Sequence, residues 1–516
     1  MNVSRYVFTF AATLLVATTF SQPPLPTDET SLFSGSGNCA MCHTASMRVL
    51  SDSGRDVSPV SLWASSMMAN ASKDPLWRAV VAEEVMEFPK HKRLIETTCM
   101  KCHSPMGYTQ AIRDGKSGFS MKDLRVNSLA DDGVSCTLCH QISDANLDSS
   151  ASYSGEYRIG NDRKIFGPYE EPLAMPMRHM VDYTPTYSQH VHSSAMCGTC
   201  HTLVTPTLDE TGATVGDFPE QATYLEWKNS IYPQKGTECQ TCHMPITNTP
   251  IDIALRPPWH RELRTPFWKH TFAGANVLTL NLLRNNVRTL AATATKEEFD
   301  STIVWTRKTL TEQSLTLSAQ SQFANDSLVV FVTLENLTGH KLPTGVPLRR
   351  MWIHFQVEDE RGKVIFESGK WNAQGQIIGE RRFEPHHNLI TSQQQVQIYE
   401  GIFQDDDGKV ARTLLRASSF KKDNRIPPKG FRVSHADYAL MSVQGEATVD
   451  ADFNMRHGVE GTGSDVVAYK VPAKANGRYT IRAEVCYQTI SPAAAEHLFR
   501  FRSPDILRFA SLYKKS

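Results

Sequence analysis

Five copies of one pentapeptide, C-x-x-C-H, constrain this 516-residue chain more than any other feature. They are Cys39-Ala40-Met41-Cys42-His43, Cys99-Met100-Lys101-Cys102-His103, Cys136-Thr137-Leu138-Cys139-His140, Cys197-Gly198-Thr199-Cys200-His201 and Cys239-Gln240-Thr241-Cys242-His243. Ten of the 11 cysteines fall in them, each pair followed at once by histidine. A zinc site can use C-x-x-C pairs but does not require a histidine directly after each second cysteine. A thioredoxin-like pair would occur once, on a βαβ pattern that is not found here. A disulfide framework has no use for the histidine. The chemistry that needs all three residues is covalent haem attachment: two thiols add across the vinyl groups and the next imidazole ligates the iron. The expectation is five covalent haem c groups. Cys39, Cys42, Cys99, Cys102, Cys136, Cys139, Cys197, Cys200, Cys239 and Cys242 would attach them, with His43, His103, His140, His201 and His243 as proximal iron ligands.

The motifs all lie before residue 244, and the rest of the chain contains a single cysteine, Cys486. This asymmetry divides the chain. The fold class expected is α+β: a pentahaem cytochrome domain of short helices and loops over 30–275, a helical connector over 276–312, and a β-sandwich-like domain over 313–516. Haems inside the first domain would replace much of the side-chain core, which suits its scarcity of long periodic segments. Two helices are expected between the first two motifs, one carrying Trp63, Met67 and Met68, the next opening at Asp74-Pro75 with Leu76, Val80, Val81 and Val85 on one face. In the connector, Val277, Leu280, Leu283, Val287 and Leu290 keep a helical period, and Thr295 with Glu298 has capping-box spacing. From about residue 313, β-rich runs such as SLVVFVTLEN, MWIHFQVEDE and YTIRAEVCYQ alternate with turn sequences such as Asn325-Asp326.

Arg5 followed by the largely apolar Tyr6–Phe20, then Ser21 and Gln22-Pro23-Pro24, reads as a cleaved export signal over 1–21. The run is short for a span, and no other is long enough to cross a bilayer, so no stable membrane span is expected after its removal. Lys+Arg and Asp+Glu each number 54, a balance that argues against nucleic acid as a partner.

The sixth ligand of each iron decides between electron transfer and chemistry at an open site. Among the histidines outside the motifs, His179 lies in MPMRHMV ahead of the fourth motif, His190 and His192 lie closer to it, His270 follows the fifth in FWKHTF, and His340 sits in the Gly/Pro-rich NLTGHKLPTG loop. Met67 and Met68 are thioether candidates, although a methionine on such a helix is usually core filler. His190 reads as a surface residue, and His260 as a loop residue. Arg349-Arg350 reads equally as a propionate contact or a charged strand edge. His386-His387 reads as an exposed loop pair or, less simply, a metal site; Cys486 as a core residue; and Asp405-Asp406-Asp407 as a solvated turn, since a calcium loop's further ligands are missing.

The haem-motif half resembles the multihaem c-type cytochromes related to hydroxylamine oxidoreductase and its tetrahaem electron acceptor. The resemblance is carried by WASSMMANASKDPLW, CMKCHSPMGY, DGVSCTLCH, SSAMCGTCH followed by EQATYLEWKNS, and CQTCHMP. In such proteins a Ser-x-His-Ala helix supplies a distal histidine; here SSMMAN places Met68 at that position, with Met67 as the alternative. IFGPY with MPMRHM implies His179 as a distal ligand, and KHTFAGAN implies His270; His192 and His340 complete the candidate distal set. NLTGHKLPTGVPLRRMW, VQIYEG and KDNRIPPKGF resemble the β domain attached to some family members. Five motifs are fewer than the eight of hydroxylamine oxidoreductase, and no counterpart of its catalytic cross-link is found.

The function these readings imply is that of an exported pentahaem cytochrome, periplasmic or extracellular, carrying electrons between a redox protein donor and a redox protein acceptor. The alternative is a multihaem oxidoreductase acting on a small nitrogen or sulfur compound at one open haem. A third reading makes the β domain an assembly module, with a homo-oligomer as its consequence.

Overall fold

The computed structural model describes residues 22–381 and 383–515. The expected export signal over 1–21 therefore lies outside the described residues. The chain is α+β, with short helices and loops first and long strands later.

Among the helices of the haem-motif half are α1 (Ser36–His43), α2 (Pro59–Ala64), α3 (Pro75–Glu87), α4 (Lys92–His103), α5 (Cys136–Cys139), α6 (Ala174–Val181), α7 (Ser194–Gly198), α8 (Thr223–Lys228) and α9 (Cys239–His243). Between α7 and α8 runs an antiparallel hairpin, β1 (Leu203–Leu208) and β2 (Thr214–Gln221). As the Asp74-Pro75 signal predicts, the Asp74 carboxylate caps α3, accepting from Leu76 N at 2.8 Å and Trp77 N at 3.4 Å. The preceding helix differs from expectation. α2 ends at Ala64, and Met67 and Met68 fall in the turns that follow. Asn70 stops the helix there by donating to the Ala64 and Ser66 carbonyls.

Two connector helices follow, α10 (Val277–Asn285) and α11 (Lys296–Lys308). The Thr295/Glu298 capping box forms in both directions, at 3.1 Å and 2.7 Å. The strands of the two main sheets are then β3 (Leu315–Ala324), β4 (Ser327–Asn336), β5 (Arg350–Glu358), β6 (Val364–Ser368), β7 (Leu389–Ile390), β8 (Ile398–Gln404), β9 (Ser419–Asp423), β10 (Ser464–Pro472) and β11 (Thr480–Gln488). They form two sheets. One has the order β3-β4-β10-β7; in the other, β5 pairs with β11, β6 and β8, and β8 pairs with β9. Asn325 and Asp326, both at positive φ, make the tight β3–β4 turn, a conformation that asparagine and aspartate tolerate.

Alternate residues of β4 (Leu328, Val330, Val332, Leu334), β5 (Met351, Ile353, Phe355, Val357) and β10 (Val467, Tyr469, Val471) share one buried core. Phe355 stacks on Tyr469 at 3.9 Å between the sheets. The C-terminal segment departs from the strand pattern. Helices α12 (Pro492–Leu498) and α13 (Pro504–Tyr513) leave the sheets and pack with α3, α10 and α11, burying Ile506 and Phe509 completely at 0 % exposure. Ser503 ahead of Pro504 caps α13, and Ile506, Phe509 and Leu512 lie on one helical face. No helix of the described residues is long and apolar enough to cross a membrane.

Candidate functional site

Each C-x-x-C-H pentapeptide sits on or at the end of a short helical segment. Residues three apart on a helix share a face, so both thiols of a pair point the same way. The histidine that follows is then anchored by a backbone carbonyl in four of the five cases. The Nδ1–H of His43 donates to Ile253 at 3.0 Å, His103 to Ala71 at 3.1 Å, His140 to Phe166 at 2.7 Å and His243 to Ala273 at 2.7 Å. That bond fixes the tautomer and leaves the Nε2 lone pair free for a metal. Among the described residues His201 has no such partner.

Burial keeps all five imidazoles neutral, the form that binds a metal. It lowers the pKa of His43, His140 and His243 and takes His103 and His201 to about 4.

Two of the five face a second imidazole. His140 and His270 have ring centres 6.3 Å apart and planes 26° apart. His243 and His340 are at 6.4 Å and 20°. These separations are longer than the 4.5 Å of the flat Trp77–His103 contact. Two imidazoles bound to one metal ion on opposite sides, each at about 2.0–2.1 Å through nitrogen, have ring centres about 6.3 Å apart. The second rings are anchored outward in the same manner, Nδ1 of His270 on the Trp268 carbonyl at 3.1 Å and Nδ1 of His340 on the Lys341 carbonyl at 2.9 Å. Burial holds His270 neutral down to about 3 and lowers His340 as well. The donor set fits an iron porphyrin at both places.

The other candidate ligands lie elsewhere. His179 is exposed on α6, and among the described residues no ring contact joins it to a motif histidine. The His179→Ala variant is therefore expected to leave the low-spin haem spectrum unchanged, and a new high-spin signal in that variant would contradict this placement. His192 is half-buried on the 3-10 turn before α7, its ring 4.3 Å from Trp268. His190 has both nitrogens occupied, by Ser188 Oγ at 2.6 Å and the Ile142 carbonyl at 2.8 Å, so it has no lone pair to offer. Met68 is partly buried and packs against the clusters around Trp63 and around Leu138; Met67 touches the first of these. Trp77 lies flat on His103 at 4.5 Å and 6°, a contact the sequence does not signal.

The sulfur atoms order the five sites. The Cys39 sulfur lies beside that of Cys136, Cys102 beside Cys200 and Cys197 beside Cys239. Cys139 lies near enough to Cys200 and Cys197 for their charges to interact. Site 1 thus adjoins site 3, site 3 adjoins site 4, and site 4 also adjoins sites 2 and 5. Cys242, at site 5, is the exposed member of the ten.

Arg349 and Arg350 separate in role. Arg350 is buried in the strand-rich half, paired with Glu380 at 2.5 Å and with Gln488 Oε1 at 2.9 Å. Arg349 donates to the Thr344 carbonyl at 2.8 Å, and its charge is felt by His201 and His340. His386 and His387 are not an exposed pair: they are 6 % and 9 % exposed. His386 Nδ1 accepts from Gln397 Nε2 at 2.8 Å and Asn424 Nδ2 at 3.0 Å. Gln397 cannot be turned round, because its Oε1 accepts from the His387 N–H at 2.7 Å. The His386 proton is therefore on Nε2, donated to Asp450 at 2.9 Å, and that nitrogen is closed to a metal. Asp405 and Asp406 pair with Arg416, and Asp407 with Lys409, which makes the acidic run an ion-paired turn.

Glu84 and Glu220 lie near Cys99, and Glu83 is the neighbour of Glu84 on α3. Burial first, then mutual repulsion, raises Glu83 to about 8 and Glu220 to about 8; burial raises Glu84 to about 7 against hydrogen bonds from Leu414 N and Leu415 N. Between about pH 4.5 and about pH 8 the unfolded chain has released these protons while the folded chain retains them. The native state binds more protons, so stability falls as pH rises through that window. The thermal midpoint is expected to drop between pH 5 and pH 8, and Glu220→Gln is expected to flatten the slope; equal slopes in both proteins would refute the assignment.

Neither the protein-family models nor the curated proteins compared with the chain give a match. Among solved structures, the penta-heme cytochrome c552 from Thermochromatium tepidum superposes with a TM-score of 0.50, covering 92% of this chain and 96% of that one at 16% sequence identity. At that identity the likeness is one of fold.

Proposed function

We propose that this chain is an exported pentahaem c-type cytochrome that passes electrons between redox protein partners. The observation that carries the reading is the pairing of His140 with His270 and of His243 with His340, each at the separation of two imidazoles on one iron and each with its Nδ1 anchored outward. When bound, the group supplies one-electron exchange without making or breaking bonds to substrate. The chain's task is to hold the attachment sites in order and tune each potential through ligand, burial and hydrogen bonding. Its fold is shared with a solved protein whose own description names five haems. The resemblance to cytochromes related to hydroxylamine oxidoreductase belongs to the same reading, as does the division into a cytochrome domain over 30–275, a connector and a β domain. Export follows from the Arg5–Phe20 pattern and from the attachment chemistry. Sites 1, 2 and 5 end the branched order of sulfurs, and site 5, with Cys242 exposed, is the one we assign to partner contact. A pyridine haemochrome assay against protein mass should give five haems per mature chain; fewer than four would end the proposal.

A second reading has its own support. Among the described residues no second imidazole stands opposite His43, His103 or His201 at the ligand spacing. An open position at one of them would permit chemistry on a small nitrogen or sulfur compound. A ferric high-spin signal that shifts with nitrite, hydroxylamine or tetrathionate favours this reading, and uniformly low-spin haems exclude it.

A further inference from the structure

The His340 loop leaves the strand-rich half and is gripped from outside it by α8 and the segment after it. Tyr232 Oη donates to the Leu337 carbonyl at 2.5 Å. A Cβ on Gly339 would lie 3.1 Å from Trp227 Cδ1, so the loop backbone approaches the indole as closely as glycine allows. Glu226 on α8 is fully buried at 0 % exposure. Its Oε2 accepts from the Lys341 N–H at 3.0 Å and from the Thr344 hydroxyl at 2.5 Å.

The peptide unit joining His340 to Lys341 is thereby held at both ends. Its carbonyl accepts from Asn336 Nδ2 of the strand-rich half at 2.7 Å, and its N–H donates to Glu226 of the haem-motif half. The next carbonyl, of Lys341, anchors the imidazole itself. The charges close around this unit. Lys341 Nζ meets Asp423 at 2.7 Å, Asp423 takes Arg425 at 2.8 Å and 2.7 Å, and Arg425 stands 3.7 Å from Glu226 Oε1. Two cations and two carboxylates balance, as a buried ionic group requires.

We propose that Glu226 is a positioning residue for the sixth ligand at site 5: it holds His340 opposite His243 and ties that coordination to the docking of the strand-rich half on α8. The proposal rests on the reading of His340 as an iron ligand. A residue that merely cements the two halves would affect thermal stability without touching any haem. Glu226→Ala removes the acceptor. In the holoprotein it is expected to turn about one further haem in five high-spin, with carbon monoxide then binding the reduced protein at about one equivalent per chain more than wild type. Glu226→Gln keeps an acceptor for Lys341 and Thr344 but removes the charge; it is expected to stay low-spin while one of the five midpoint potentials rises. His340→Ala, measured in parallel, separates the two levels. If it keeps the wild-type spin state, the ligand reading fails and this proposal with it. If it becomes high-spin while both Glu226 variants keep the wild-type spin state and all five midpoints, the role of Glu226 alone is refuted, even if both variants melt early. Where Glu226→Ala does not accumulate, the midpoints of Glu226→Gln decide.

Discussion

A chain carrying Cys197→Ala with Cys200→Ala is expected to keep four haems and to lose rapid electron equilibration across the molecule. The reason lies in the order of the sulfurs. Cys197 adjoins Cys239, Cys200 adjoins Cys102, and both lie near Cys139. Site 4 is therefore the branch point, and removing it leaves sites 1 and 3 together and sites 2 and 5 each isolated. Stopped-flow reduction should change from a single concerted bleach to separate fast and slow phases. The matched control is Cys39→Ala with Cys42→Ala, which also leaves four haems but removes an end of the order. It should keep the single phase among those remaining. Identical kinetics in the two variants would overturn the branched arrangement, and the equal haem content separates this effect from simple loss of colour.

His340→Ala is expected to convert about one haem in five from low-spin to high-spin, and His270→Ala to convert a different one. The double variant should convert about two in five, because the two pairs share no residue and distant changes add. Each conversion should raise the fraction of reduced protein that binds carbon monoxide by about one equivalent per chain. The geometry behind this is the 6.3 Å and 6.4 Å separation of paired rings whose Nδ1 atoms are tied to carbonyls behind them. Alanine removes the second nitrogen. Loss of low-spin character in neither variant would leave the ring pairing as packing alone.

Much of the local structure is legible in the amino-acid order alone. The capping signals at Asp74 and Thr295, the alternating strands and the Asn325-Asp326 turn are decided by neighbours within a few residues, and they form as read. Where the reading departed from the structure, a non-local partner is the cause. The C-terminal segment was read as part of the β half. Its apolar face instead finds α3, α10 and α11, some four hundred residues earlier in the case of α3. His386 and His387 read as surface residues because nothing adjacent in sequence shows Gln397, Asn424 and Asp450 closing over them. The carbonyls that orient the motif histidines have no side-chain signature at all.

What the amino-acid order determined by itself is the chemistry: thiol pairs three residues apart with an imidazole at the next position are a covalent property of the chain, legible without a fold. What only the tertiary structure decided is which imidazole meets which. His270 stands 130 residues beyond its partner His140 and His340 stands 97 beyond His243, separations across which no periodicity reaches. Two sheets, a buried carboxylate on α8 and one clamped peptide unit bring His340 into place. Ligand pairing is a matter of ångströms between remote backbones, and only the packed chain sets those.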